Sequence, residues 1–276
     1  MEIKLPKYLY KYRKWDKEKE KEKDKEKGYD HRILTDSEIY FTSARKFNDP
    51  FDCRIPMRYD LCPEEQMKSR MRDRLKNDNP NMLENEIENN VNHFYDKKLW
   101  LDPENVKRTE EMKFTDYGLF SLTEIDDDIL MWSHYANSHK GFCVGIDTEK
   151  FEEYLRMMFS AYNILIDLIK IIYSVPYPIL NPLELDDEEY FKSLLKYKAA
   201  HWSYEKEYRY IIFNKSDCPL KIDRGIINKV ILGCEMPEEH KNEIKKIIKE
   251  MNTKVTLYQA VKKKDEFGLD IEEINI

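Results

Sequence analysis

YEKEYRYIIF, residues 204–213, is the stretch on which the reading of this chain turns. Its second part, YRYIIF (208–213), is aromatic and β-branched and is predicted as a strand. Its first part sets Glu205, Glu207 and Arg209 two apart. On an extended backbone alternate side chains share a face. That spacing predicts Glu205, Glu207 and Arg209 on one side and Lys206, Tyr208 and Tyr210 on the other. Two carboxylates so close raise each other's pKa, and a neighbouring guanidinium lowers it. The row therefore has two readings. One is an ionised carboxylate kept in a partly buried groove; the other is a charge ladder that protects a sheet edge.

Strands and helices extend outward from this point. YLYKYR (8–13) and EIYFTS (38–43) are predicted strands, with a short helix between them ending near Thr35. Residues 63–113 read as a helical insertion, opening at Pro63-Glu64-Glu65 and broken by NDNPN (77–81) before a second helix from about Leu83 to Leu99. YGLFSLT is a strand, DDDILMWSHYA a helix with Asp128 as its N-cap, and GFCVGID a strand. Phe151 to Ile172 reads as one long helix or two, ended by Pro176, Pro178 and Pro182. Asp187 to Trp202 reads as a helix, NKVILG (228–233) as a strand, Pro237 to Met251 as an amphipathic helix and KVTLYQAV (254–261) as the last strand. The order predicts a single α+β domain over 1–276 rather than a regular βαβ series.

The bulk numbers narrow the function classes. A net charge of −7 argues against general affinity for phosphate backbones. The longest apolar run, NILIDLIKIIYSV (163–175), is interrupted by Asp167 and Lys170, so no membrane span is expected. The start, MEIKLPKYLY, has no secretory h-region. Cys53, Cys62, Cys143, Cys218 and Cys234 show no metal-ligand spacing and fit reduced thiols in a cytoplasm. No GxGxxG or GxxxxGK[ST] motif occurs. The mixed-charge run 16–27 reads as an exposed insertion without chemistry.

Three further stretches carry candidate residues. In KFNDPFDC (46–53) Asn48-Asp49-Pro50 is a turn signal, with Phe47 and Phe51 as expected core anchors. Asp49 and Asp52 are then loop carboxylates, read as Asx-turn chemistry or as a ligand-binding loop. In LMWSHYANSHKGFCVGID (130–147), His134 and His139 are five apart and do not face one way as a metal pair would. Trp132 reads as core and His139 as complementing a helix C-terminus. His134 with Tyr135 reads as pocket lining or as core. Arg13 ends the first predicted strand and gains weight only if it meets the glutamates.

YKYR, IYFTS leading into FNDPFD, LMWSHYA…HKGFCVGID, WSYEKEYR, VILG and the late YQA resemble, in order and spacing, a bacterial family called domain of unknown function 2971. The layout is also similar to ADP-ribosyltransferases, which carry Arg or His on a first strand, Ser or an aromatic on a later one, and a glutamate, often the second of an ExE pair, heading a third. That second resemblance implies an ADP-ribosyltransferase-like split β-sheet with NAD as substrate and no metal. It puts Arg13 at the first position, Thr42-Ser43 at the second and Glu205-Lys206-Glu207 at the third; Thr-Ser stands where Ser-Thr-Ser is the family pattern.

The activity implied is ADP-ribosyl transfer or NAD hydrolysis, of a kind that serves bacterial conflict or phage defence. Glu207 would hold the ribose 2′-OH and stabilise the oxocarbenium ion, and Glu205 would position or deprotonate the acceptor. Arg209 would keep Glu207 charged, and Arg13 would bind phosphate or ribose. Tyr12, Phe47 or Trp132 would stack on nicotinamide, with Ser43, Asn48, Asp49, His134 and Tyr135 lining the site. The acceptor (protein, nucleic acid or water) and the oligomeric state stay open. Two alternatives stand beside this reading: a metal-dependent nuclease or hydrolase using Asp49, Asp52, Glu205 and Glu207, and a non-catalytic sensing or scaffold protein.

Overall fold

The computed structural model describes residues 5–15, 30–56, 58–105, 107–108, 111, 117–160, 165–180, 187–251 and 253–275. The mixed-charge run 16–27 and Pro182 lie outside them. The chain forms two compact units. The first takes Met1–Ser43, Tyr117–Ile171 and His201–Ile276; the second takes Ala44–Asp116 and Ile172–Ala200. The architecture is α+β, as the element order predicts.

Within the first unit, β1 (Tyr8–Arg13), α1 (Arg32–Thr35) and β2 (Glu38–Ser43) form as read. In the second unit follow α2 (Glu64–Asp78) and α3 (Glu84–Asp96). These two helices are crossed by Arg72–Glu88 and Lys76–Glu84 pairs, and they bury Met67, Ile87 and Val91. The apolar stripe, more than the exposed ion pairs, holds them.

Back in the first unit come β3 (Tyr117–Thr123), α4 (Ile129–Tyr135) and β4 (Phe142–Asp147). Asp128 caps α4, its Oδ1 accepting from the amides of Leu130 and Met131 at 2.9 Å each. Then α5 (Thr148–Ser160) leads to β5 (Ile166–Lys170). The predicted long helix from Phe151 is thus cut short. Residues 166–170 instead pair antiparallel with the 207–213 strand, from Ile166↔Ile212 to Lys170↔Tyr208, an open edge that local pattern does not reveal.

The second unit also receives β6 (Ile172–Ser174), α6 (Asp187–Lys196) and β7 (Tyr197–Ala199). The helix predicted to run to Trp202 stops at Lys196, because Tyr197–Ala199 pairs in parallel with β6. Ile55, Leu180 and Leu194 cluster there with Tyr197. The last elements are β8 (Glu207–Phe213), β9 (Cys218–Lys221), β10 (Ile227–Leu232), α7 (Glu238–Glu250), β11 (Thr256–Lys262) and β12 (Leu269–Glu273). β9 and β12 are short or polar edge strands that the sequence reading misses, so 254–261 is not the last strand.

The first unit's sheet runs β12-β11-β10-β4-β1-β3-β2-β9, with β8 beside β3 and β5 beyond β8. One face is covered by α5 and α7 over a core that includes Leu9, Phe120, Phe151, Tyr210 and Ile244. On the other face Trp132 and Met131 of α4 pack with Tyr12, Cys143 and Ile231. All five cysteines are free thiols. Among the described residues no helix is long and apolar enough to cross a membrane.

The sheet forks at β3. One edge of β3 bonds to β8 along its whole length, from Tyr117↔Phe213 to Thr123↔Glu207. The other edge is divided: Gly118 and Leu119 meet β2, and Thr123 meets Tyr10 of β1. The Lys11 amine reaches between the diverging strands. Its Nζ donates to the Ser121 carbonyl at 2.5 Å and lies 5.2 Å from the Phe120 ring centroid. A side chain thus supplies a donor that a neighbouring strand would otherwise bring. Burial, then the Arg13 charge, lowers the Lys11 pKa from 10.5 to about 7, against the opposing pull of Glu207.

The folded chain therefore releases the Lys11 proton near pH 7, whereas the unfolded chain holds it to about 10.5. Between those values the unfolded state binds more protons, so this group makes stability rise with pH. Denaturant midpoints measured from pH 7 to 9 should climb in the wild type, and the climb should flatten in Lys11→Met. Parallel slopes in the two proteins would refute a buried, weakly protonated Lys11.

Candidate functional site

The charged row lies where three local structures meet. Residues Ala200–Glu205 form a 3₁₀ turn, Lys206 takes a left-handed φ of 42°, and β8 begins at Glu207. The predicted single extended row is therefore corrected. Glu205 is not on the strand, and only Glu207 and Arg209 share a strand face, opposite Thr123 and Ser121 of β3. The kink at Lys206 lets both glutamates turn inward: Glu205 and Glu207 are 3 % and 5 % exposed.

Arg209 is wholly buried. Its Nε donates to Glu207 Oε1 at 2.7 Å and its Nη2 to Oε2 at 3.0 Å. This two-point contact matches the planar guanidinium fork to the carboxylate and fixes the side chain's orientation. Removing either partner leaves a buried charge uncompensated. Glu207→Gln would therefore lower stability, leaving the Arg209 guanidinium buried without its counter-charge.

Glu205 is held from another direction. The Tyr135 hydroxyl, on the last residue of α4, donates to Glu205 Oε1 at 2.5 Å. Burial first, then the Glu205 charge, pushes the Tyr135 pKa far above its ordinary value, so this hydroxyl stays a donor. His134, exposed beside it, lies 6.4 Å from the Trp202 ring and 6.3 Å from the Tyr204 ring, and those two rings are 6.1 Å apart. Trp202 and Tyr204 are half-buried. His134 and Tyr135 thus border the carboxylates, and Trp202, Tyr204 and Lys11 join them without having been singled out by sequence. The WSY preceding EKEYR was the available signal for the two aromatics.

Other candidates fall elsewhere. Tyr12 and Trp132 are buried against each other in an edge-on pair at 5.1 Å, with Tyr12 Oη and Trp132 Nε1 donating to the carbonyls of Ile125 and Asp126. Neither has a face to offer nicotinamide, so the stacking role is corrected. Ser43 is buried, its amide and hydroxyl both donating to Asp217 at 3.0 Å. Arg13 Nη1 pairs with Asp30 at 3.2 Å, and its buried Nε has no hydrogen-bond partner among the described residues. The charges of Arg13 and Glu207 both act on Lys11. His139 has a pKa lowered by burial and then by Lys262, which disfavours the imidazolium that a helix dipole would stabilise.

Asn48, Asp49 and Asp52 belong to the second unit. Asn48 is exposed. Asp49 Oδ1 accepts from the Phe51 amide at 2.9 Å, which is the Asx-turn reading. Phe51 is 62 % exposed and Phe47 half-buried, so the expected pair of core anchors does not form. Asp52 pairs with Lys198 at 3.5 Å, both buried. Among the described residues no group of three or more His, Cys, Asp or Glu side chains assembles as a metal site.

No curated protein and no solved structure matches the chain. A family model does match, described as Protein of unknown function (DUF2971), over residues 131–210. That span runs from α4 to β8 and holds Trp132, His134, Tyr135, Glu205, Glu207 and Arg209, while Arg13 and Ser43 lie outside it. Over residues 131–210 the chain is thus similar to the domain of unknown function 2971 family.

Proposed function

We propose that the first unit carries an NAD-processing site, for ADP-ribosyl transfer or NAD hydrolysis, on an ADP-ribosyltransferase-like forked sheet. The observation that carries this reading is the buried Glu207 at the head of β8, fixed at two points by Arg209 and preceded by Glu205. Cleavage of the ribose–nicotinamide bond sends the bonding pair to the nicotinamide nitrogen and leaves positive charge on the sugar. A preorganised carboxylate stabilises that charge without reorganising at the moment of reaction. Arg209 favours the charged form of Glu207, and the carboxylate accepts from the 2′-OH.

Glu205 then receives the proton of the attacking hydroxyl, from water or from an acceptor, as its oxygen forms the new bond to the sugar. The Tyr135 hydroxyl holds Glu205 in orientation for this step. The stacking surface for nicotinamide comes from His134, Trp202 and Tyr204 instead of Tyr12 and Trp132. Arg13 supports an anion through its unpartnered Nε. Bacterial conflict or phage defence is the setting this chemistry suggests.

One observation favours a second reading, a non-catalytic sensing or scaffold module: Glu207 and Arg209 bind each other at both oxygens with almost no exposure. Buried ion pairs of this kind also serve to specify a fold.

The readings separate by assay. Purified protein incubated with NAD, with and without a lysate supplying acceptors, should release nicotinamide; no release in either condition would leave the module reading. Glu207→Gln should lower the rate about a hundredfold or more and reduce stability by about 3–5 kcal/mol through the stranded Arg209. The rate is therefore to be compared at a temperature where circular dichroism shows both proteins folded. Glu205→Gln leaves a neutral pair with Tyr135 and should keep its fold. It should slow hydrolysis and transfer alike, since both attacking hydroxyls hand their proton to Glu205; unchanged rates of nicotinamide release would remove Glu205 from that step.

A further inference from the structure

Three rings stand together just before the head of β8. The His134 ring centroid is 6.4 Å from that of Trp202 and 6.3 Å from that of Tyr204, and the Trp202 and Tyr204 centroids are 6.1 Å apart. The three centroids thus mark a nearly equal-sided triangle. The rings are inclined to one another at 88°, 56° and 41°, so they do not close into a parallel stack. None of the three is sealed from solvent: His134 is exposed, and Trp202 and Tyr204 are half-buried.

Two elements bring the rings to one place. His134 comes from the last turn of α4, and Trp202 and Tyr204 come from the 3₁₀ turn that ends at Glu205. A carboxylate adjoins them. The Tyr135 ring is 6.3 Å from that of His134, and its hydroxyl donates to Glu205. The charge states of Tyr204, Glu205 and Glu207 all act on the Tyr135 hydroxyl, which places these groups close together.

Such a setting has a defined chemical preference. An aromatic ring is negative over its face and attracts a cation there, tryptophan most strongly. A cation over the middle of a triangle of this size lies within about 6 Å of all three centroids at once, the reach of the attraction. A neutral ring of the same shape gains stacking but not this attraction. We propose that His134, Trp202 and Tyr204 form a binding site for a flat organic cation of the N-alkylpyridinium class. The nicotinamide of NAD is such a ring; naming it as the occupant rests on the NAD-processing reading, whereas the preference for the cation does not. Under that reading the trio holds the charged substrate ring and releases nicotinamide once cleavage has made it neutral. It also disfavours the reduced dinucleotide, whose dihydropyridine ring carries no charge. Binding itself makes and breaks no covalent bond.

The probe is 1-methylnicotinamide, with 1-methyl-2-pyridone-5-carboxamide as a neutral control of nearly the same shape. Ligand-observed NMR titration into the full chain should saturate in the millimolar range or below with the cation. The control should bind about tenfold more weakly, the scale of a partly desolvated cation–π contact. Trp202→Leu keeps apolar bulk and removes the strongest π face, so it should bring the cation to within about twofold of the control, and Trp202→Phe should restore part of the preference. His134→Leu, at an exposed helix position, should lower the preference too and gives the same test should Trp202→Leu fail to fold. Absence of saturation by the cation, equal binding of the two rings, or a preference unchanged in both leucine variants would overturn the proposal. Saturation by the cation without nicotinamide release from NAD would leave this site standing and remove the NAD-processing reading. Nicotinamide release without saturation would do the reverse.

Discussion

The contact between Arg209 and Glu207 constrains everything around it. Both groups are out of water, and each ion loses several kcal/mol of hydration when buried. Their attraction offsets this only with near-ideal geometry and with the remaining acceptor positions used. The geometry comes from β8, which alternates the two residues onto one face and holds them in register against Thr123 and Ser121. Half of the pair is worse than none.

That constraint reaches β1 through the fork. Where β1 and β2 part along β3, backbone polar groups lose their strand partner, and Lys11 answers with its amine. A lysine in that place is held between opposing charges: Arg13 disfavours its proton, Glu207 and Glu205 favour it, and burial decides the balance. Charge on β1 and charge at the head of β8 are thus coupled through one side chain. An anionic ligand near Arg13 would shift the Lys11 proton, and a carboxylate neutralised at position 207 would shift it the other way.

Much of the fold was legible because short-range signals carried it. Aromatic and β-branched runs marked β1, β2, β3, β4, β8 and β10, and the Asp128 cap and Pro237 start marked helices whose ends need local partners. The misreadings have a common physical origin in partners distant along the chain. Residues 166–170 have enough apolar side chains for a helix and become a strand only because β8 has an edge to fill. Tyr197–Ala199 leaves its helix for β6. β12 is LDIEE, too polar to announce itself, and exists as a partner for β11. In the site, Glu207 and Arg209 were legible from their spacing. Glu205 was misplaced because a left-handed Lys206 breaks the alternation. Ser43 was misjudged because Asp217, far along the chain, consumes its donors.

The alternation of β8 also separates its two faces. Odd positions 207 and 209 carry the ion pair; even positions 208 and 210 line a cavity on the opposite face. A substitution confined to one face leaves the backbone ladder to β3 and β5 in place, so its effect reports on that face alone. A slip of the strand by one residue would exchange the faces, thrusting a charged pair into the core beside Phe120 and Phe151 and tyrosines into the carboxylate site. The desolvation penalty of that exchange is far larger than any single contact described for the strand. Register here is therefore protected by charge as well as by apolar packing.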